Sequence, residues 1–346
     1  MQHKFGALDL IRAGLQDLDR ARTLFDELHN DGIDDDRMRL LLATLEKACD
    51  PDIALSNLVD IIKVMQSQGK DFTNIIADEN SFVRLITVLG VSDEMGKLMR
   101  FRPELVEAAA NDACESHLYN HEQRRAHVLK SVGADPNDHT MPTASLPLAE
   151  AATALRKTYR KQLAAIMAQD ATANDPIEIQ PRISTELSDL ADAALEGALA
   201  IARHEVDGSE HVRFAIIGMG KLGAQELNYV SDVDLIYVVE PADMDTNGMA
   251  LSRIGTKMAT TLQRVCQSVI MGVAEPTLWQ IDGGLRPEGK DGPLVRRLES
   301  HEAYYEQWAE NWEFQALLKA RPVAGDTDLG QAYMDMTRPF VWTASK

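Results

Sequence analysis

Two aspartates separated by one residue are the first side chains in this sequence whose types and spacing could do chemistry. Asp232 and Asp234 lie at the start of an apolar run, residues 233–239, that predicts a β-strand. Because alternate residues of a strand point to the same face, the two carboxylates can be brought together. Such hard oxygen ligands suit Mg²⁺, which usually binds through one or two carboxylates and shares substrate phosphates. The alternative is structural, since aspartate is also common in turns and at caps.

A third aspartate strengthens the case for a metal site. Asp282 ends a short alternating run, residues 278–281, that predicts another strand, and two glycines and Arg286 follow it closely. Three carboxylates would then converge on one site. Two-metal phosphoryl or nucleotidyl transfer needs such a set, because the metals must hold both the attacking and the leaving oxygen.

A glycine-lysine turn precedes the first two aspartates. It runs from Gly218 to Gly223 and follows an apolar run, residues 214–217, that predicts the first strand. Gly218 and Gly220 leave main-chain amides free to approach phosphate oxygens closely, and Lys221 adds a positive charge suited to the same anion. The turn and the aspartates together predict a site for metal-assisted transfer of a phosphate-linked group.

The same turn also fits the G-x-G-x-x-G fingerprint of dinucleotide-binding folds, and Glu240 ends the next predicted strand as that fingerprint requires. Two observations count against this alternative. The interval from Gly223 to Val233 is tight for a helix and a turn, and the later strand–helix alternation of a doubly wound sheet is missing. A purely structural tight turn is the other alternative, which the neighbouring charged residues weaken.

The charge of the chain limits the classes of partner. Its 346 residues include 35 Lys and Arg against 54 Asp and Glu, a formal net charge of −19, which argues against general binding to DNA or RNA. Three widely separated cysteines indicate neither a disulfide framework nor a zinc site. We find no signal peptide and no run of about 18 apolar residues, so we expect no membrane span and a cytoplasmic location.

The order of the predicted elements indicates an α+β fold preceded by an all-helical region, with domains at residues 1–205 and 206–346. Apolar residues recur at helical spacing from Leu8 to about residue 110, and again in an alanine-rich stretch from about 184 to 204. A loop-rich connection is expected over residues 114–147, which include Cys114.

A further helix is predicted to open near Ser300. Tyr304, Trp308 and Trp312 fall on one stripe of it, which we interpret as core packing. Glu313, Lys319 and Arg321, near the end of this region, could border the site, but we expect them to be solvated charges, which is the commoner outcome.

The turn and the aspartates, taken as one segment, resemble a family signature. The segment is Gly218-Met-Gly-Lys-Leu-Gly-Ala-Gln-Glu-Leu-Asn-Tyr-Val-Ser-Asp-Val-Asp234. It is similar to the signature of the glutamine synthetase adenylyltransferase/adenylyl-removing enzyme family, which belongs to the DNA polymerase β-like nucleotidyltransferases. Segments 285–292, 298–305 and 312–326 are also similar, in the family's order. The resemblance spans the chain, although it is diffuse in the helical part.

The resemblance implies a polymerase-β-like nucleotidyltransferase core with a small mixed sheet. It also implies site residues: as Mg²⁺ ligands Asp232, Asp234 and Asp282, at the phosphate site Gly218, Gly220, Lys221 and Ser231, and for charge stabilisation Arg286. Two positions depart from the family pattern. Ala224 replaces a frequent glycine and Gly284 a frequent arginine, so a phosphate contact from that arginine is not expected here.

The family's full-length protein carries two copies of this catalytic module, and the chain resembles the N-terminal copy, which removes AMP. The implied reaction is attack of inorganic phosphate on the AMP–tyrosine diester of adenylylated glutamine synthetase, with release of ADP. A signalling protein of the PII type is a further implied partner. The resemblance also implies that the chain is a fragment, truncated at its C-terminal end.

Two competing functions stay open. Forward adenylyl transfer from ATP would use the same site, and only residues 228–230 disfavour it. A non-catalytic module that binds nucleotide or a regulatory protein, with the helical region as its docking surface, is the alternative of another class.

Overall fold

The computed structural model describes residues 5–70, 72–110, 119–243 and 246–343. The chain divides into two compact units, Met1–Leu118 with Arg160–Gln180, and Tyr119–Tyr159 with Pro181–Lys346. Cys114 lies outside the described residues. These units are defined by contacts in space and do not test the predicted domain boundary between residues 205 and 206, which stays a prediction.

The first unit is helical, as its apolar spacing predicts. Its helices begin at capping residues such as Asp17, Asp34 and Asp50, whose carboxylates accept the N–H of the third residue on. The helices are Ala7–Arg12, Leu18–Asn30, Asp35–Leu45, Pro51–Ser67, Thr73–Ala77, Glu79–Val91, Asp93–Phe101 and Glu104–Ala110. Their apolar faces form one core, with fully buried leucines at Leu41 and Leu55.

Two long helices, Leu148–Thr172 and Pro176–Glu205, each contribute residues to both units. The second contains the predicted alanine-rich stripe, and its residues from Leu187 to Ile201 are almost all buried. A shorter helix, His121–Ser131, lies within the stretch predicted to be loop-rich, so that prediction is wrong for these residues. The helix has few apolar residues, but Asn120 and Gln123 cap it reciprocally.

Five strands form a small mixed sheet in the second unit: β1 Val212–Gly218, β2 Val233–Pro241, β3 Ile281–Asp282, β4 Val295–Arg296 and β5 Arg321–Gly325. β1 pairs antiparallel with both β2 and β5, whereas β2 pairs parallel with β3 and with β4. The α+β fold with a small mixed sheet is therefore confirmed. No helix in the described part of the chain is both long and apolar enough to span a membrane.

The strand predicted over residues 278–281 is shorter and later than expected. β3 contains only Ile281 of that run, followed by Asp282. The N–H of Leu278 instead donates to the carbonyl of Cys266, at the end of the helix Gly248–Gln267. The residues before β3 are therefore tied to a helix rather than to the sheet.

The region after β4 contains two helices, Leu298–Gln307 and Asn311–Leu317, where the sequence predicts one, and a last helix, Thr327–Thr343, follows β5. Because the first helix ends at Gln307, the predicted stripe is interrupted. Trp308 is 73% exposed and Trp312 is 50% exposed, so their assignment to the core is wrong. Tyr305 on the first helix and Tyr333 on the last helix are the aromatic residues that the core of this region buries.

Candidate active site

The glycine-lysine turn packs directly on the strand that carries the aspartates. After β1 ends at Gly218, the N–H of Met219 donates to the main-chain carbonyl of Asp234 across 2.8 Å. Gly220 has a φ of +53°, and a Cβ there would lie 2.5 Å from Oδ2 of Asp234. Glycine is favoured at this position, because the backbone conformation strains other residues and a Cβ would displace the Asp234 carboxylate. A Cβ on Gly218 would lie 2.6 Å from Cγ1 of Val323, so this glycine is required for packing on β5.

Two of the three predicted carboxylates belong to a strand pair. In the parallel pairing of β2 with β3, Asp234 is the register partner of Asp282. Burial raises the pKa of the half-buried Asp234 carboxyl, the negative charges of Asp232 and Asp282 raise it further, and Lys221 lowers it. The charges of Asp232, Asp282 and Lys221 therefore all act on Asp234. That these four residues form a single site stays a prediction.

The remaining predicted residues surround this pair. Asp232 is exposed, and the hydroxyl of Ser231 donates to its main-chain carbonyl across 2.8 Å. Oδ1 of Asp282 accepts the N–H of Gly284 at 2.6 Å, and a Cβ on Gly284 would lie 2.9 Å from the same oxygen. The main-chain N–H of Gly284 thus orients Asp282, and a larger residue at this position would crowd the same carboxylate.

Arg286 organises the loop that follows Asp282. Its guanidinium donates to the carbonyls of Gly283, at 2.6 Å, of Lys290, at 3.1 Å, and of Gly292, at 3.2 Å. This loop contains the short 3-10 helix Gly289–Asp291. The charge-stabilising role of Arg286 stays a prediction. The structure gives the same side chain a second role, which is to hold the loop after Asp282 through three main-chain carbonyls.

The carboxylates fit Mg²⁺ by their donor atoms, because all three offer hard oxygen ligands. Asp234 and Asp282 lie on two adjacent strands, and Asp232 immediately precedes β2. The oxygens of the three carboxylates do not all lie within 4.8 Å of one another. Among the residues that the structure describes, that spacing is met by His121, Asp189 and Asp192, a cluster that the sequence did not predict.

Sequence reasoning also missed the contacts of Arg321. Its guanidinium donates to the carboxylate of Asp192 and to the main-chain carbonyls of Leu222 and Gly223, so the expectation of a solvated charge is wrong. An aspartate in the middle of a buried alanine-rich stripe was the available signal, because a buried charge needs a partner.

Comparisons with known proteins agree with the resemblance. The family model of glutamate-ammonia ligase adenylyltransferase matches residues 82–336, more than half of the chain. A bifunctional glutamine synthetase adenylyltransferase/adenylyl-removing enzyme of Bifidobacterium longum is 74% identical over 99% of this chain and 32% of its own length. Enzymes of the same name from Cutibacterium acnes and Leifsonia xyli are each 40% identical, over 97% of this chain and 33% of their own length.

The chain spans about a third of the length of these curated relatives. The family match covers the glycine-lysine turn, all three aspartates and Arg286. By both the match to the family model and the identity to its relatives, the chain belongs to the glutamate-ammonia ligase adenylyltransferase family.

Proposed function

We propose that this site removes AMP from the modified tyrosine of glutamine synthetase by phosphorolysis. Inorganic phosphate attacks the α-phosphorus of the AMP–tyrosine diester, the bond to the tyrosine oxygen breaks, and ADP and unmodified tyrosine leave. The observation that supports this best is the packing of the glycine turn on Asp234, which is itself the register partner of Asp282 in the neighbouring strand. The relatives' name includes both adenylyl transfer and adenylyl removal.

The direction of the reaction rests on residues 228–230, which resemble those of the adenylyl-removing copy of the family. Asn228, Tyr229 and Val230 are all exposed and immediately precede Ser231 and Asp232. This segment therefore borders the proposed site, where it would contact a protein substrate.

The aspartates would hold Mg²⁺. When bound, Mg²⁺ would neutralise charge on the phosphoryl oxygens and on the departing oxygen. Lys221, which already lowers the pKa of Asp234, provides positive charge for the attacking phosphate. By the resemblance, Gly218, Gly220 and Ser231 would line the phosphate site. The two glycines also have a local role, because a Cβ at these positions would meet Val323 and Asp234.

The proposed chemistry requires no strong general acid. The leaving tyrosine phenolate has a conjugate acid with a pKa of about 10, so it departs without prior protonation when its charge is neutralised. Phosphate is already an anion at neutral pH. The residues of the site would therefore align the reactants and compensate charge rather than remove a proton.

The test uses the natural protein that contains this chain, with adenylylated glutamine synthetase, inorganic phosphate and Mg²⁺. ADP should be released in proportion to phosphate, and Asp232→Asn should reduce its rate about 100-fold or more. Asp207→Asn, in an exposed turn of the same unit, serves as the matched control and should leave the rate unchanged. Release of free AMP without dependence on phosphate would refute the proposal.

Forward adenylyl transfer is the second candidate, because a site of the same composition could use ATP. The two candidates are distinguished by an assay of the Asp232→Asn variant with ATP and unmodified glutamine synthetase, in which attachment of AMP is measured. Unchanged attachment together with lost ADP release would assign removal to this site. Unchanged activity in both directions after Asp234→Asn would favour a non-catalytic binding module.

A PII-type partner stays a prediction from the resemblance.

A further inference from the structure

The 30-residue helix Pro176–Glu205 carries polar side chains along one face although it is largely buried. Ser188, Asp189, Asp192 and Glu196 follow one another at intervals of one, three and four residues, which places them on neighbouring positions of that face. Ser188, Asp192 and Glu196 are all buried. Because burying a polar group is costly unless it is hydrogen-bonded, each of them needs a partner elsewhere in the unit.

Asp192 has the strongest of these partners. The side chain, 1% exposed, accepts from Nη1 of Arg321 at 2.6 Å and from Nη2 at 3.2 Å. The same guanidinium donates from Nε to the carbonyl of Gly223 at 3.2 Å and from Nη2 to that of Leu222 at 3.1 Å. A two-bond arginine–carboxylate pair is both strong and directional. Arg321 therefore connects the helix to the end of the turn that carries Lys221.

Other contacts fix the same segment. Nε2 of Gln225 donates to Oδ1 of Asp189 at 3.0 Å, and the N–H of Leu227 donates to Oγ of Ser188 at 3.3 Å. Gln225 has a φ of +56°, a conformation that a non-glycine residue adopts only where its surroundings impose it. Residues 222–227 are thus held on the polar face of the helix by Ser188 and Asp189 directly, and by Asp192 through Arg321.

A metal ion is the alternative occupant of this region. His121, Asp189 and Asp192 place ligand atoms within 4.8 Å of one another, and Nε2 of His121 lies 3.6 Å from Oδ2 of Asp192. Arg321, however, uses both oxygens of Asp192. A metal would have to displace the guanidinium of Arg321 from the buried carboxylate. The positive charge of Arg321, which is largely removed from solvent, would then lack a negative partner. The contacts therefore favour a structural ion pair over a metal site.

We propose that Asp192 and Arg321 are positioning residues that hold the turn carrying Lys221 beside β2, where the N–H of Met219 donates to the carbonyl of Asp234. They act through the carbonyls of Leu222 and Gly223 and do not touch the reacting groups. This inference rests on the proposed function, since phosphate-dependent ADP release is one of its readouts, but the position of the turn can be measured without that activity.

The variant Arg321→Lys keeps the charge and loses the two-pronged geometry and the carbonyl contacts. In the natural protein that contains this chain, we expect the KM for inorganic phosphate to rise about tenfold or more, because small misplacements of a binding group have large effects. The kcat at saturating phosphate should change much less. Arg213→Lys is the matched control, because Arg213 forms a comparable two-bond pair with Asp326 and donates no bond to the turn.

A double-mutant cycle with Lys221→Ala tests whether the effect passes through the lysine. In that background, Arg321→Lys should change the KM for phosphate about twofold at most, because the group it positions is already gone. If Arg321→Lys raises the KM for phosphate by the same factor with and without Lys221→Ala, the two substitutions act independently and the proposal is overturned. The same cycle with Asp192→Asn in place of Arg321→Lys should give the same result.

Amide hydrogen exchange supplies the readout that does not depend on activity. Exchange in residues 220–227 should accelerate about tenfold in Arg321→Lys and stay unchanged in Arg213→Lys. If wild type shows this protection but releases no ADP, the proposed function fails and the positioning role stands. Unchanged exchange in Arg321→Lys would refute the positioning role. Binding of Zn²⁺ or Mn²⁺ in equilibrium dialysis that is lost in His121→Ala but kept in Asp232→Asn would identify a metal site instead and would also overturn it.

Discussion

Gly220 and Asp234 are in contact so close that a Cβ on the glycine would lie 2.5 Å from Oδ2 of the aspartate. The contact joins the end of β1 to the start of β2, and the bond from Met219 N–H to the Asp234 carbonyl closes it on the main-chain side. The turn and the carboxylates are therefore one structural unit. Any atom added at Gly220 must move either the turn with Lys221 or the side chain of Asp234.

Gly220→Ala should lower activity because of this contact. The φ of +53° costs alanine about 1–2 kcal/mol, and the displaced Asp234 carboxylate should reduce phosphate-dependent ADP release by about 100-fold. Thermal unfolding and the ADP assay measure the two effects separately. Gly32→Ala is the control for strain alone, since Gly32 has a φ of +92° but a Cβ there would meet nothing within 4 Å.

Gly248→Ala is the control for the substitution itself, because Gly248 begins a helix and a Cβ there meets nothing within 4 Å. This variant should be neutral or slightly stabilising. Full activity of Gly220→Ala, or equal losses in Gly220→Ala and Gly32→Ala, would contradict the importance of the contact with Asp234.

Asp234→Asn should stabilise the protein at pH 7 while it abolishes activity. Burial and the charges of Asp232 and Asp282 raise the pKa of Asp234 in the folded state. The folded state therefore binds this proton more tightly than the unfolded state does, and stability falls as pH rises from the ordinary pKa of 3.8 through the folded pKa. Asparagine removes the charge that causes this loss, so the gain should vanish at acid pH.

Urea unfolding at pH 7 and at acid pH measures the sign of this effect. Mg²⁺ should raise the midpoint of unfolding of wild type and not of Asp234→Asn, because a ligand stabilises only a folded state that binds it. Asp207→Asn is again the surface control. A variant less stable than wild type at pH 7, or equally stabilised by Mg²⁺, would show that Asp234 is a structural carboxylate.

The parts of the site that are local in sequence were predictable. The G-x-G spacing identifies a turn in which glycine is favoured, and the apolar run after it identifies β2, which carries Asp234. Asp232 lies one residue before β2, so its predicted position on the same face as Asp234 stays a prediction. The register of Asp234 with Asp282 was not predictable from these residues, because β3 is only two residues long. Its position depends on the segment before it, which bonds to the end of a helix.

The contacts of Arg321 were predictable only from the side of Asp192, whose place in a buried stripe indicates that it needs a partner. Arg321 and Asp192 are 129 residues apart, and a single arginine near the end of a chain carries no sign of its partner. Trp308 was predicted to be buried and is exposed. Three aromatic residues at helical spacing predict a buried stripe only if the helix continues through all of them. The helix ends at Gln307, and the stripe ends with it.

Arg156→Met should destabilise the second unit by about 3 kcal/mol, because it leaves buried carbonyls without donors. The guanidinium, 1% exposed, donates to the carbonyls of Val265, at 2.8 Å, of Ser268, at 2.7 Å, and of Glu275, at 2.9 Å. These carbonyls precede the strand that carries Asp282. Urea unfolding measures the loss.

The matched control for this prediction is Arg253→Met, an exposed arginine on the helix Gly248–Gln267. It should change the free energy of unfolding by no more than about 0.5 kcal/mol, as is usual for surface positions. Equal effects of the two substitutions would mean that the main chain between Val265 and Glu275 keeps its conformation without Arg156.

His121 should make part of the stability depend on pH. The interaction of its imidazole with Asp192 raises the pKa of His121 above 6.5, the charges of Asp189 and Glu122 add to the effect, and burial opposes it. A histidine with a raised folded pKa contributes stability fully below the unfolded value of about 6.5, and the contribution is lost as pH rises through the folded pKa.

The free energy of unfolding of wild type relative to His121→Asn should therefore be higher near pH ~5.5 than near pH ~8.5, on either side of the ordinary histidine pKa. Because the His121 side chain is 44% exposed, added salt should reduce the difference. An NMR titration of the imidazole gives the pKa directly, and Asp192→Asn should lower it towards the ordinary value. A titration midpoint at or below 6.5 in wild type would mean that Arg321 alone neutralises Asp192.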